Sequence, residues 1–338
     1  MTKGIQTKVV FDLDVDSPSP AVLQWAKDHI GEKDKNIKIY ELKEMIYERG
    51  DVTPHRYDDA YLLKFLRARH FNLESTYRLL VNYYTFKEDN PNLQENVDPT
   101  DIEFIGEEDF IQVLPYRLDD ERRVMIIKFG NWNTSHTVEE MFRGTLFTLE
   151  LGSMEPNAQI LGGICIFDFK NFTMSHAVKI TPSVASRVLQ LMVTSFPLNI
   201  HTLHICFQSK VFDMVFKLFQ PFLSSRMKNK IFFHGSNMQS LHKHIDPKYL
   251  PERYGGVHPN YSYNQWMENL RCNPKIVAEC PAKRNSWTPA MKEQHQTKEL
   301  ALTKERHLMR EQALTKEQLS ILSDQRMSKM EETLTRRS

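Results

Sequence analysis

The chain has 338 residues, with 44 Lys and Arg against 43 Asp and Glu and a net charge of +1. That length leaves room for two domains and a large core, and the balanced charge offers no global field for nucleic acid, so an electrostatic partner must meet a local patch. No apolar run approaches the ~20 residues needed to cross a bilayer.

The opening MTKGIQTKVVFDLDVDS has no apolar signal core and the closing TRRS is not a prenylation box. Cys165, Cys206, Cys272 and Cys280 have no paired metal or redox spacing. A soluble protein of the reducing cytosol is expected. Residues 1–17 read as a flexible arm. Pro18 and Pro20 open a helix to about Ile30, and a second runs from Ile37 to Arg49 with apolar positions at 39, 42, 45 and 46. Asp58 precedes DAYLLKFLRARHF, and Asn72 is placed to cap LESTYRLLVNYYTFK. Pro91 and Pro99 bracket a polar linker, so residues 18–95 form an N-terminal helical module.

From Phe110 the texture changes. FIQVL (110–114), VMIIKF (124–129), GICIFDF (163–169), IHTLHICF (200–207) and IFF (231–233) read as strands, with helices near 138–152, 182–194 and 211–219. Strands alternating with helices, several apolar on both faces, predict an α/β domain with a mostly parallel sheet and crossover helices over 96–257, closed by YGG at 254–256. A C-terminal wrap follows over 258–285. The segment 286–338 is a polar tail in which ALTKE occurs at 301–305 and 313–317, while Leu308, Leu319 and Leu322 are too sparse for a heptad seam. It reads as helical or disordered and solvated, or as a coil that binds a protein partner.

The segment QSKVFDMVFKLFQPFLSSRMKNK (208–230) carries the most information. Between Val211 and Phe219 only Asp213 and Lys217 are polar, and with Gln220 they fall on one helical face. Everything else there is apolar, wider than the stripe of an ordinary surface helix. Pro221 interrupts it, and Arg226, Lys228 and Lys230 follow. Either a lid over an apolar cavity that also touches a membrane, or a helix buried in a core, fits this pattern.

Motifs for catalysis are missing. The chain has no GxxxxGK[ST], GxGxxG, GxSxG or HExxH. Asp168 ends a strand without a phosphate loop, Ser153 lacks the second glycine of an elbow, and the histidine pairs His242/His244 and His201/His204 have no carboxylate at ligand spacing. No enzyme activity, metal or cofactor is called for. Basic residues say more: Arg67, Arg69 and His70 crowd one helix end, Arg78 lies one turn on, and Arg226 and Lys230 share a face. Each cluster alone fits a helix end complementing its dipole. Beside an apolar lid, four such cations supply ~4 kcal/mol toward anionic lipid heads.

LLKFLRARHFNLESTYRLLVNYY, GICIFDFKNFTMSHAVKITPSVA and SFPLNIHTLHICFQSKVFDMVFKLFQPFLSSRMKNKIFFHG with LPERYGG resemble, in order and spacing, the blocks of the CRAL-TRIO lipid-binding family over about residues 18–257. Within it the likeness leans to the tocopherol-transfer branch, with retinaldehyde-binding and clavesin-type branches behind. The resemblance implies a helical bundle before an α/β domain that encloses one lipophilic molecule under a mobile lid. By position it implies pocket walls at Phe142, Thr145, Leu149, Ile164, Phe167, Phe172, Ile180, Val188, Leu191, Phe196, Leu198, Ile200 and Leu203. The lid would carry Phe212, Val215, Phe216 and Phe219. A phosphoinositide cleft would comprise Arg69, Arg78, Arg226 and Lys230. Asn199 and His201 stand where the tocopherol branch has a lysine and an arginine, and Leu149 and Phe172 replace a serine and a tryptophan.

Those features imply cytosolic binding and intermembrane transfer of a tocopherol- or retinoid-like lipid, released at phosphoinositide membranes through peripheral, transient contact with endosomes. The alternative is a phosphoinositide-binding adaptor of endosomal traffic whose tail recruits a partner. A lipid hydrolase would need a nucleophile, base and oxyanion donor that no motif assembles.

Overall fold

The computed structural model describes residues 13–15, 17–93 and 104–261. The expected tail and its coil, most of the C-terminal wrap, and Cys272 and Cys280 lie outside the described residues. The chain divides into two units, residues 1–54 with 58–286 and residues 55–57 with 287–338, and every element below belongs to the first.

Four helices open the unit: α1 (Pro20–His29), α2 (Lys35–Arg49), α3 (Asp59–Ala68) and α4 (Leu73–Asp89). Their starts follow from side-chain caps. Ser19 accepts the Val22 N–H at 3.3 Å, Asp58 that of Tyr61 at 3.0 Å, and Asn72 that of Ser75 at 2.9 Å. Leu42, Leu62, Phe65, Leu66 and Leu80 are fully buried where α2, α3 and α4 pack together. Arg67 is buried in this layer, donating from Nε to Glu32 at 3.0 Å and from its fork to Gln159 Oε1 at 2.6 Å. Its charge is used inside the fold, so it leaves the basic cluster that the sequence suggested. The arm expected over 1–17 is packed at its described end: Leu13 is buried, and Asp14 pairs with Arg117 at 3.1 Å.

After α5 (Phe104–Glu107) come β1 (Ile111–Arg117), β2 (Arg123–Lys128), α6 (Val138–Gly152), α7 (Pro156–Leu161) and β3 (Gly163–Asp168). Then follow α8 (Met174–Ala177), α9 (Pro182–Leu189), β4 (Ile200–Cys206), α10 (Lys210–Phe219), α11 (Ser225–Lys228), β5 (Ile231–Gly235) and α12 (Met238–His242). The sheet order is β1-β2-β3-β4-β5; β1 and β2 are antiparallel and the remaining pairs parallel. All five expected strands are present, each within three residues of its predicted ends. The helix predicted over 182–194 is instead α9 continued by a π-helix, Gln190–Ser195, which packs on α4. Widened turns of this kind are inserted locally and leave no sequence period to detect.

Register divides the sheet into two faces. Met125, Cys165, Leu203 and Ile231 form one cross-strand row, and Ile127, Phe167, Ile205 and Phe233 the next row on that face. The other face carries Val124, Ile126, Ile164 and Ile166, packed on Leu241, Ile245, Leu250 and Tyr254.

Candidate functional site

The helix α10 lies along the first face. Phe212 and Val215 are buried against Phe169, Phe172, Ala177 and Ile205, with Phe167, Ile180, Leu203, Phe216 and Phe219 packed beside them. Ring contacts join the layers: Phe212 meets Phe169 at 4.5 Å and Phe216 meets Phe233 at 5.3 Å. The opposite side of the helix exposes Asp213 and Lys217, and also Met214, 48% exposed. Phe222 beyond the helix and Phe233 at the sheet edge are about half exposed. The core-helix alternative is thereby excluded, because this element covers the sheet with one face and keeps apolar side chains in solvent on the other.

Little besides that apolar face restrains α10. Its N-cap Ser209 makes no side-chain capping bond, and among the described residues Asp213 and Lys217 form no ion pair. At its entrance Phe207 has a φ of +56°, a left-handed conformation uncommon for a bulky residue.

The expected wall residues are all buried or half-buried. Phe142, Thr145 and Leu149 share a stripe of α6, and the Thr145 hydroxyl donates to Met141 O at 2.8 Å, so it is occupied by its own helix. Val188 and Leu191 lie on α9 and the π-helix, and Phe196 packs near Tyr83 with ring centres 6.3 Å apart. Ile164 is a correction. It is three positions from Phe167, so the strand turns it to the other face, where it joins the cluster around Leu241 and Tyr254. Ile205, Phe169 and Ile231 belong to the covered face and were missed. Counting alternate positions from Phe167 and Leu203 across the register would have found Ile205 and Ile231.

Beside α10 opens a cleft of about 420 Å³. Ala68, Arg69, His70 and Ser75 line it from the α3–α4 turn, Met192 and Val193 from the π-helix, and Leu198, Asn199, Ile200 and Leu203 from β4 and its approach. Ser224, Arg226, Met227, Lys230 and Ile231 complete it. Three of the four expected cations therefore meet; Arg78, exposed on α4, does not line the cleft. Leu198, Ile200 and Leu203, expected as pocket walls, line this same cleft, and Leu203 and Ile231 also pack in the cluster under α10. Cationic rim and apolar wall are thus one continuous surface. Asn199 O accepts the Gly163 N–H at 3.0 Å, and the adjoining Gly162, at a φ of +74°, leaves room for it, since an added Cβ would come 2.7 Å from that oxygen. His201 is exposed and outside the lining.

The rim electrostatics have one sign. Burial and then Arg226 lower the proton affinity of both Arg69 and Lys230. Arg69 donates to Ala68 O at 3.1 Å and Val193 O at 3.2 Å, and Lys230 Nζ to Ile200 O at 2.7 Å. These are backbone acceptors, which fix the cations in place and leave their charge uncompensated. Arg226 makes no hydrogen bond among the described residues. An anion is the chemical complement of such a rim.

Other residues weighed for chemistry have structural roles. Asp168 is fully buried and accepts from Arg253 Nε at 2.6 Å and Tyr254 Oη at 2.8 Å. Ser153 ends α6 and donates to Glu150 O. His204 and His234 share a hydrogen bond of 3.0 Å inside the second face. Among the described residues no His, Cys, Asp or Glu group is arranged to hold a metal, and no helix is long and apolar enough to cross a membrane.

Comparison with known proteins matches residues 107–256 to the family model described as CRAL/TRIO domain and residues 22–82 to that described as CRAL/TRIO, N-terminal domain. Clavesin-1 of Pongo abelii is 32% identical over 257 residues, spanning 75% of this chain and 73% of that protein. Clavesin-2 of Homo sapiens is 31% identical over 257 residues, spanning 75% and 79%. Both are of the branch that the sequence reading set behind the tocopherol-transfer one. The solved structure of Sfh5 covers 78% of this chain and 100% of its own at 13% identity and a TM-score of 0.40, too low to bear on fold or function.

Proposed function

The chain belongs to the CRAL/TRIO family of lipid-binding and transfer proteins, and on that premise we propose that it carries one tocopherol- or retinoid-like molecule between membranes. Release occurs where α10 lifts against a phosphoinositide-bearing surface, reached from the cytosol by transient contact.

The observation that carries this reading is the continuity of the cationic rim at Arg69, Arg226 and Lys230 with the apolar wall that leads under α10. Burying a CH₂ group stabilises by ~0.8 kcal/mol, so a lipid of roughly twenty carbons gains on the order of 15 kcal/mol gross. Such a molecule escapes into water slowly. Transfer therefore needs an opening that faces lipid, and cations beside the lid direct that opening to an anionic membrane. The exposed Met214 and Phe222 give the lid an outer side able to meet acyl chains.

Charge reversal tests the rim. Arg226→Glu with Lys230→Glu removes at least ~2 kcal/mol of attraction, or about thirtyfold in affinity for phosphoinositide vesicles. Uptake of a fluorescent tocopherol or retinoid analogue should stay close to wild type, which also verifies folding. Vesicle binding that does not change would remove these residues from the site.

A further inference from the structure

The rim contains a fourth basic group of a different kind. His70 is the only side chain lining the cleft whose charge changes between about pH 5 and 8. Its backbone has a φ of +50°, and Phe71 follows at +57°. This paired left-handed turn is held from both sides: Phe71 is buried and donates its N–H to Leu66 O at 2.8 Å, and Asn72 donates to Arg69 O at 3.0 Å. His70 is therefore presented to the cleft by a fixed turn. Its ring makes no hydrogen bond among the described residues, so both nitrogens are available to a ligand.

Charges from every side of the cleft act on this ring with the same sign. Burial disfavours the imidazolium first, and then Arg226 from α11, Lys230 just before β5 and Arg69 from its own turn. Asn199, Ser75 and Ser224 contribute neutral polar groups. The carboxylate nearest in sequence, Glu74, is engaged by Arg49 in contacts of 2.5 and 3.1 Å. Among the described residues no Asp or Glu lines the cleft, and a bound anion is what would compensate the rim.

We propose that His70 is the proton-accepting member of this anion site, so that a phosphate ester docks with uptake of a proton and binds more tightly at acid pH than it would without that ring. The proposal rests on reading the cleft as an anion site. A phosphate placed among Arg69, Arg226 and Lys230 cancels the field that keeps the ring neutral and accepts a hydrogen bond from the imidazolium. Each unit by which the ligand raises the ring's proton affinity multiplies the binding constant by ten between neutral and acid pH. The ligand's own titration opposes this, because a phosphomonoester loses negative charge below a pKa of about 6. Without His70, acidification weakens binding; with it, binding holds or strengthens.

The test uses the full chain and two probes, phosphatidylcholine vesicles containing phosphatidylinositol bisphosphate and free inositol trisphosphate, at about pH 7.5 and about pH 5.5. The readout is the ratio of acid to neutral affinity. That ratio should be about tenfold higher in the native chain than in His70→Gln, and calorimetry in buffers of different ionisation enthalpy should register proton uptake that the variant lacks. His70→Lys, charged throughout, should also lose the proton uptake, so that a neutral and a cationic substitution give the same answer. Proton uptake with vesicles alone identifies a membrane-held headgroup, and with both probes any phosphate ester; each supports the proposal. Equal ratios in the native chain and His70→Gln overturn it. If Arg226→Glu with Lys230→Glu abolishes binding while those ratios stay equal, the anion site stands and its proton coupling falls. If that pair leaves affinity intact, the reading of the cleft falls first.

Discussion

His204 and His234 are packed side by side in the second face, sharing a hydrogen bond, with Ser240 at 2.9 Å from His234 Nδ1 and Thr202 at 3.0 Å from His204 Nε2. Burial, and then the neighbouring His234, His244 and His201, pushes His204 down to about 3; burial and His244 push His234 down to about 4. Both rings bind protons better in the unfolded chain, whose histidines titrate near 6.5. The stability they contribute is thus complete above about pH 6.5 and is lost as the pH falls toward 4, at roughly 1 kcal/mol per pH unit for each ring. Urea unfolding midpoints should decline more steeply from about pH 7 to 5 in the native chain than in His204→Gln with His234→Gln. Equal slopes would remove the pair as the cause. This pair was not legible in the sequence, where His204 and His234 are thirty residues apart and become neighbours only through the parallel pairing of β4 and β5. Ile164 is the residue counterpart: three positions from Phe167, it turns to the face packed on Leu241 and Tyr254.

At the scale of the element, α10 is where composition says most about how a helix sits. Its apolar width was visible, and so was the polar stripe of Asp213 and Lys217. Sequence could not say that Met214 would stay in solvent, because an apolar residue carries no mark of whether its partner is protein or lipid. With Phe212 and Val215 as its buried anchors, the helix is expected to open as a local unit. Replacing Phe212 with Ala should cost roughly 3–5 kcal/mol of contact. Most of that cost should appear as lost hydrogen-exchange protection in residues 211–219, with β3 amides nearly unchanged. An equal loss in β3 would mean that α10 unfolds only with the core and is no lid.

For the whole molecule, strand positions and helical starts were legible because each is encoded within a dozen residues: apolar runs, caps at Asp58 and Asn72, and YGG at the close. The cleft is a different sort of object. Its walls come from residues 68–75, 192–193, 198–203 and 224–231, and only folding sets them around one volume. Family resemblance gave the cations Arg69, Arg226 and Lys230 but not His70, which the sequence placed only in the basic cluster at the end of α3 and which a backbone turn sets in the cleft. The rim and the apolar wall share Leu203 and Ile231, so under the proposed function headgroup recognition and cargo release would meet at one surface. Mass spectrometry of solvent extracts, paired with native mass spectrometry of the purified full chain, tests this most directly. The expected result is one hydrophobic molecule held per chain and exchangeable for a tocopherol- or retinoid-like lipid. A chain that emerges without lipid and accepts none of those offered would contradict it.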